Sequence, residues 1–236
     1  MKNLIVASTS TIYNGTYLDY LTEALIELFS ETQEVLFIPY ARPGGITHDE
    51  YTQKASEAFE KINKKVIGLH TFPDPVKAIN ETKGIFTGGG NTFVLVSSLY
   101  KNQVMEPLRE VIFNGTPYLG TSAGSNICGV SMKTTNDMPI VYPPSFKTLG
   151  VIPFNVNPHY LDPDPSSEHM GETRETRIKE FHTQNNIPVV GLREGSWLRV
   201  KDSSIVLKGE HSARIFKRGK KPVEIETSTS LSQLTL

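Results

Sequence analysis

Pro117-Tyr118-Leu119-Gly120-Thr121-Ser122-Ala123-Gly124-Ser125-Asn126 is the stretch from which the rest of the chain can be read. A short apolar run ends in Gly-x-Ser-x-Gly, and small residues follow. A strand turns sharply into a helix in this way, with a serine at the apex. The glycines answer a steric demand, since a side chain at Gly120 or Gly124 would collide with the neighbouring strand or helix. The new helix aims its free N–H groups and positive dipole end at the space beside Ser122. An oxyanion forming there would be stabilised. Alone, the motif is modest and also fits a tight turn whose serine only caps the helix.

Strand and helix alternate on the N-terminal side of this turn. Residues 3–9 are apolar and β-branched, a first strand. Thr16, with Asp19 three residues on, predicts a capping box, and Leu18, Leu21, Leu25 and Leu28 mark one buried helix face. Residues 34–40 (EVLFIPY) are almost continuously apolar, as in a parallel strand buried on both faces. Thr47 and Glu50 predict a second capping box, opening a helix to about Lys61. Strands are expected at 65–70, 84–87 and 117–120, with helical stretches at 76–81, 93–100 and 104–113. This alternation specifies an α/β fold with a largely parallel sheet and right-handed crossovers.

After the serine the pattern loosens. Residues 136–144 (NDMPIVYPP) predict loop and short strand, 151–159 a strand, 171–182 a polar helix and 187–192 another buried strand. Residues 197–227 alternate as short antiparallel strands expected at the periphery, and 228–236 as a loose tail. With no repeat and no linker, 1–236 is expected to form a single domain.

The chain has 236 residues, 38% of them hydrophobic and 21% charged, with a net charge of −1. That balance gives no electrostatic case for nucleic acid or an acidic membrane. Cys128 is the one cysteine, which fits a reducing compartment. The run 4–7 is too short for a signal-peptide core, and no apolar stretch approaches the roughly 20 residues that span a bilayer. A cytoplasmic protein, monomeric or homodimeric, is expected.

Sites in open α/β sheets form beyond the carboxyl ends of strands. Four unusual stretches fall there: 88–91 (GGGN), 120–124 (GTSAG), 157–160 (NPHY) and 193–196 (REGS). Together they supply a nucleophile, a base, a carboxylate and a glycine loop with free backbone donors. Ser122 needs a base, and His159 is the favoured one of six histidines. It follows a proline that fixes the backbone and ends a strand in the same half. His48, His70, His169, His182 and His211 fit structural or solvated positions. The carboxylate that orients the imidazole is Asp137 or Glu194, and the sequence leaves both open. Glu194 could instead pair with a neighbouring arginine, and Asp137 could cap a turn.

The triple glycine at 88–90 matches neither the dinucleotide nor the Walker pattern and suits an oxyanion loop, with Gly90 and Ala123 as donors. No paired His/Cys spacing marks a metal site, and no cofactor is expected. Arg174 and Arg177 share a helix face and could bind a carboxylate, although Glu172 and Glu175 would also lace them into a solvated helix.

The motifs 88–93 (GGGNTF), 120–126 (GTSAGSN), 157–163 (NPHYLDP), 171–178 (GETRETRI) and 191–196 (GLREGS) resemble, in this order, the peptidase E family of α-aspartyl dipeptidases. The resemblance implies a three-layer α/β sandwich of the flavodoxin-like, class I glutamine amidotransferase type, with serine where those enzymes carry cysteine. It implies a serine dipeptidase that needs no cofactor and takes Asp-Xaa dipeptides. By motif, Ser122 becomes the nucleophile, His159 the base, Asp137 or Glu194 the third member, and Gly90 and Ala123 the oxyanion donors. Arg174 becomes the partner of the substrate aspartate, with Asn91 and Arg177 beside it. Competing expectations are a relative that cleaves another acidic or β-linked peptide, a catalytically silent binding protein, and an α/β-hydrolase esterase. The last would place its acid before its histidine, which Asp137 satisfies and Glu194 does not.

Overall fold

A computed structural model describes residues 1–164, 166, 168 and 171–235. In chain order its strands and helices begin with β1 (Asn3–Ala7), α1 (Thr22–Leu28), β2 (Glu34–Ile38), α2 (His48–Glu60), β3 (Lys65–Gly68) and α3 (Pro75–Glu81). Then come β4 (Ile85–Thr87), α4 (Thr92–Lys101), α5 (Met105–Phe113), β5 (Tyr118–Thr121) and the single turn α6 (Ala123–Asn126). β6 (Asn155–Pro158), α7 (Arg174–Gln184), β7 (Val189–Leu192), β8 (Ser196–Lys201), β9 (Ser204–Gly209), β10 (Ala213–Phe216) and β11 (Val223–Ile225) complete the order.

Seven strands form the central sheet in the order β3-β2-β4-β5-β1-β8-β9, and the first five run parallel. Successive residues of a strand point to opposite faces, and both faces here are apolar. Leu4, Val6, Leu36, Ile38 and Ile85 pack with Leu95, Leu99 and Leu108 of α4 and α5 on one side. Ile5, Ala7, Val35, Phe37 and Phe86 pack with Leu25, Tyr51 and Phe59 of α1 and α2 on the other. Helices on both faces of a mostly parallel sheet make the expected three-layer α/β sandwich. A second sheet, β11-β10-β7-β6, pairs β6 parallel with β7, and its residues Val156, Val190, Leu192 and Ala213 join the first apolar cluster.

Several local expectations are corrected. Leu18 has φ 63°, outside the right-handed helical region, so no helix starts at Thr16 even though the Thr16 and Asp19 side chains hydrogen-bond. A 3₁₀ turn at Asp19–Leu21 begins the helical run instead, and all four leucines are still buried. Thr47 and Glu50 do form the reciprocal capping box. β8 is not peripheral: it lies antiparallel beside β1, inside the central sheet. Residues 136–144 carry no strand, and the strand at 151–159 is confined to β6. The tail is not loose. Leu231 and Leu234 are buried, and the backbone of 228–231 bonds to Leu207 and Ile205 of β9. Among the described residues, no helix is long and apolar enough to cross a membrane.

Candidate active site

β5 delivers Ser122 at the carboxyl end of the parallel sheet. The serine has φ 54° and ψ −111°, a conformation that side chains rarely adopt, and α6 starts directly after it. The surroundings enforce this turn. A Cβ on Gly120 would run into the Gly124 carbonyl, and one on Gly124 into the Thr87 carbonyl of β4, the collisions expected from the sequence. α6 is a single turn, so its dipole is short. The N–H of Ala123, the first residue of that turn, is left without an intrahelical acceptor. The glycine loop after β4 lies against the serine: a Cβ on Gly89 would stand 2.9 Å from the Ser122 Cβ. Gly90, with φ 145°, follows, wedged against the Ala41 carbonyl.

β6 and β7 bring the other groups. His159 leaves β6 with φ 53° and places Nε2 2.9 Å from Ser122 Oγ. Its Nδ1 lies 2.6 Å from Glu194 Oε1, in the turn between β7 and β8. The parallel β6–β7 register, with Pro158 beside Leu192, sets that meeting of residues 35 apart. Among the described residues, Glu194 makes no ion pair with an arginine. The neighbouring Arg193 instead binds Asp162 through Nε at 2.8 Å and also Glu224, while its guanidinium lies over Tyr160.

Asp137 lies in the same cleft but away from His159. Its Oδ2 accepts bonds from Thr92 N at 2.7 Å, Thr92 Oγ1 at 2.6 Å and Thr135 Oγ1 at 2.9 Å, which anchors the loop to the start of α4. Of the two open carboxylates, the structure brings Glu194 to the imidazole and uses Asp137 as a cap. Asn91 is also engaged. It caps α4 through Val94 N at 3.1 Å, and its amide donates to the Met138 carbonyl at 2.9 Å.

Arg174 opens α7, and Arg177 follows on the same side; both line a small recess with Asn136 and Asn157 that adjoins the Ser122 cleft. Glu172 reaches Arg177 at 3.8 Å, and Glu175 binds Lys179 at 2.6 Å and Arg214 at 3.3 Å. Arg174 makes no ion pair among the described residues. Its own burial and the neighbouring Arg177 charge weaken its hold on its proton, partly offset by Asp137. A larger cavity, about 630 Å³, lies elsewhere, beneath Lys2, Arg109 and Phe113, and is lined by none of these groups. The hydrogen-bonded side chains, rather than volume, locate the site.

Among the other histidines, His70 meets Asp49 at 2.7 Å and His182 meets the Ile187 carbonyl at 3.0 Å. His169 lies outside the described residues. Among the described residues, no group of three or more His, Cys, Asp or Glu side chains could hold a metal ion.

The sequence model of peptidase family S51 matches residues 4–208. The chain belongs to this family. Peptidase E of Streptomyces coelicolor is 46% identical over 232 residues, covering 98% of this chain and 94% of that one. A Drosophila melanogaster protein named "probable alpha-aspartyl dipeptidase" is 45% identical over 219 residues, 92% and 90% of the two chains. The crystal structure of a peptidase from an acI-B1 Actinobacterium superposes with a TM-score of 0.68 at 15% identity, over 98% of this chain and 96% of that one, and shows a shared fold. The expected family, fold class and enzyme class, a serine-type dipeptidase and hence a hydrolase, are thereby borne out.

In this S51 chain, sequence reasoning passed over three supporting residues. Thr92 and Thr135 hold Asp137, and Ser8 stands at the carboxyl end of β1, where it accepts the His159 N–H at 2.9 Å. The rule that located the four motifs, the carboxyl ends of strands, also points to Ser8. No motif there drew notice.

Proposed function

We propose that the chain hydrolyses dipeptides with an N-terminal L-aspartate, Asp-Xaa, through Ser122, His159 and Glu194 and an acyl-enzyme intermediate. The observation that carries this reading is the unbroken chain from Ser122 Oγ to His159 Nε2 at 2.9 Å and from His159 Nδ1 to Glu194 at 2.6 Å. With Nδ1–H donated to the carboxylate, Nε2 keeps a lone pair for the serine proton. Ser122 Oγ attacks the peptide carbonyl while His159 takes its proton. The oxyanion that forms accepts bonds from the N–H groups of Gly90 and Ala123. Glu194 stabilises the imidazolium, which then protonates the leaving amine. Water enters by the same route to release aspartate from Ser122. The order serine, histidine, glutamate also departs from the acid-before-histidine order of the α/β-hydrolases.

Specificity for aspartate rests on Arg174. A substrate carboxylate taken from water is costly unless paired, and Arg174 is a half-buried guanidinium beside the cleft with no ion pair among the described residues. Arg177, partly held by Glu172, adds to the positive field, and Asn91 stands at the cap of α4, next to Thr92 of the cleft. The test compares hydrolysis of Asp-Leu with Glu-Leu, Asn-Leu, Ala-Leu and N-acetyl-Asp-Leu, with Ser122→Ala as control. Turnover of Asp-Leu alone, abolished in the control, is expected. Equal turnover of Ala-Leu would remove the role of Arg174, and activity surviving in Ser122→Ala would remove the nucleophile.

A further inference from the structure

Ser8 is fully buried at the end of β1, and its polar atoms meet both other arms of the site. Its Oγ donates to the Leu192 carbonyl at 2.6 Å and accepts the His159 N–H at 2.9 Å. Its own N–H donates to the Ser196 carbonyl at 3.1 Å. Leu192 and Ser196 bracket the turn that carries Glu194, so Ser8 grips that turn on both sides. The residue before it, Ala7, holds the nucleophile: the Ala7 carbonyl accepts from Ser122 N at 3.2 Å and from Ser125 Oγ at 2.6 Å. Two consecutive residues thus tie Ser122, His159 and Glu194 to a common reference.

A strand neighbour cannot do this for His159. β6 is the edge strand of its sheet, and the Tyr160 N–H already meets Leu192 of β7. The His159 N–H, turned by a φ of 53°, faces away from that sheet and toward the seam with the central one. Without Ser8 it would be a half-buried donor lacking a partner, in a residue already held in a sparsely populated conformation.

We propose that Ser8 is a positioning residue that sets the distance between His159 and both Ser122 and Glu194 across the seam of the two sheets. The inference rests on the serine peptidase reading of that trio. Misplacing a reacting group by about 1 Å costs up to about 100-fold in rate, so the effect falls on turnover and not on substrate capture.

The experiment measures Ser8→Ala and Ser8→Thr on Asp-Leu, together with the rate at which a fluorophosphonate labels Ser122. Labelling requires the three-residue relay but not the substrate. Ser8→Ala is expected to lower kcat and the labelling rate about 10- to 100-fold with KM changed less than about 2-fold, and Ser8→Thr, which keeps the hydroxyl, to recover most of both. Thr148→Ala removes another buried hydroxyl, one that bonds the Gly129 carbonyl at 2.8 Å, and serves as the control for a general loss of packing. Should Ser8→Ala not fold, Ser8→Cys, which fills the space with a weak hydrogen-bonding group, replaces it. Wild-type kcat and labelling in Ser8→Ala or Ser8→Cys, a change confined to KM, or an equal loss in Thr148→Ala would overturn the proposal. If wild-type protein labels at Ser122 but ignores Asp-Leu, the substrate reading falls and labelling still decides Ser8. If it does neither, both fall.

Discussion

At the scale of single residues, Ser122 and His159 share a feature: both have positive φ, 54° and 53°, although neither is glycine. Backbone strain of this kind persists only where the surroundings over-determine it. Here those surroundings are the Gly124–Thr87 contact for the serine and the Ser8 hydroxyl for the histidine. The serine was legible because its motif announces the turn. Glu194 was not separable from Asp137, because its contact with His159 depends on the pairing of β6 with β7, which periodicity does not specify. Glu194→Gln is expected to lower kcat on Asp-Leu by about two to four orders of magnitude while the urea midpoint barely moves. An unchanged kcat would take Glu194 out of the mechanism. Arg174→Ala is expected to lose kcat/KM on Asp-Leu by about 100-fold or more, the magnitude of a lost charged contact. Its thermal midpoint should stay close to wild type, since the side chain makes no ion pair among the described residues. An unchanged kcat/KM on Asp-Leu would contradict this.

Elements were legible where local chemistry decides them. The Thr47 box and the helical stretches that form α2, α4 and α5 follow from local sequence. The Thr16 helix start failed because Leu18 turns left-handed to bury its side chain, a demand of packing rather than of the cap. The elements around the site are tied by Arg193, which joins the loop after β6 through Asp162 to β11 through Glu224. Hydrogen bonding to the Arg193 guanidinium holds the Asp162 carboxyl below its ordinary range. A carboxyl depressed on folding stabilises the native state fully above its unfolded value, about 3.9, and that contribution is lost as pH falls through the lower native value. Urea midpoints taken from pH 6 down to pH 2.5 should therefore fall less steeply for Asp162→Asn than for wild type, from a lower start. Parallel curves would remove Asp162 from the acid response.

For the whole molecule, the alternating half announced the five parallel strands of the central sheet, whereas β8 and β9, which complete it, come from the less legible second half. Short strands with period-two alternation can join either sheet, so β8 entered the centre and β10 and β11 went to the second sheet without a signal in their own residues. The closing segment was misjudged for a related reason: a serine- and threonine-rich stretch reads as mobile, yet Leu231 and Leu234 reach the core. A chain stopped after Thr227 forfeits both, at about 1.5–3 kcal/mol for each buried leucine. Its thermal midpoint should fall by several degrees; an unchanged midpoint would mean these contacts add nothing. The same segment has another effect. Residues 228–231 occupy the outer rim of β9, where Leu207 and Ile205 would otherwise present unpaired backbone groups to any passing strand. Hydrophobic rims of that kind recruit foreign chains into fibrils. The segment thereby acts as a built-in guard against self-assembly, and material clipped there should gather into β-rich aggregates long before it loses its fold.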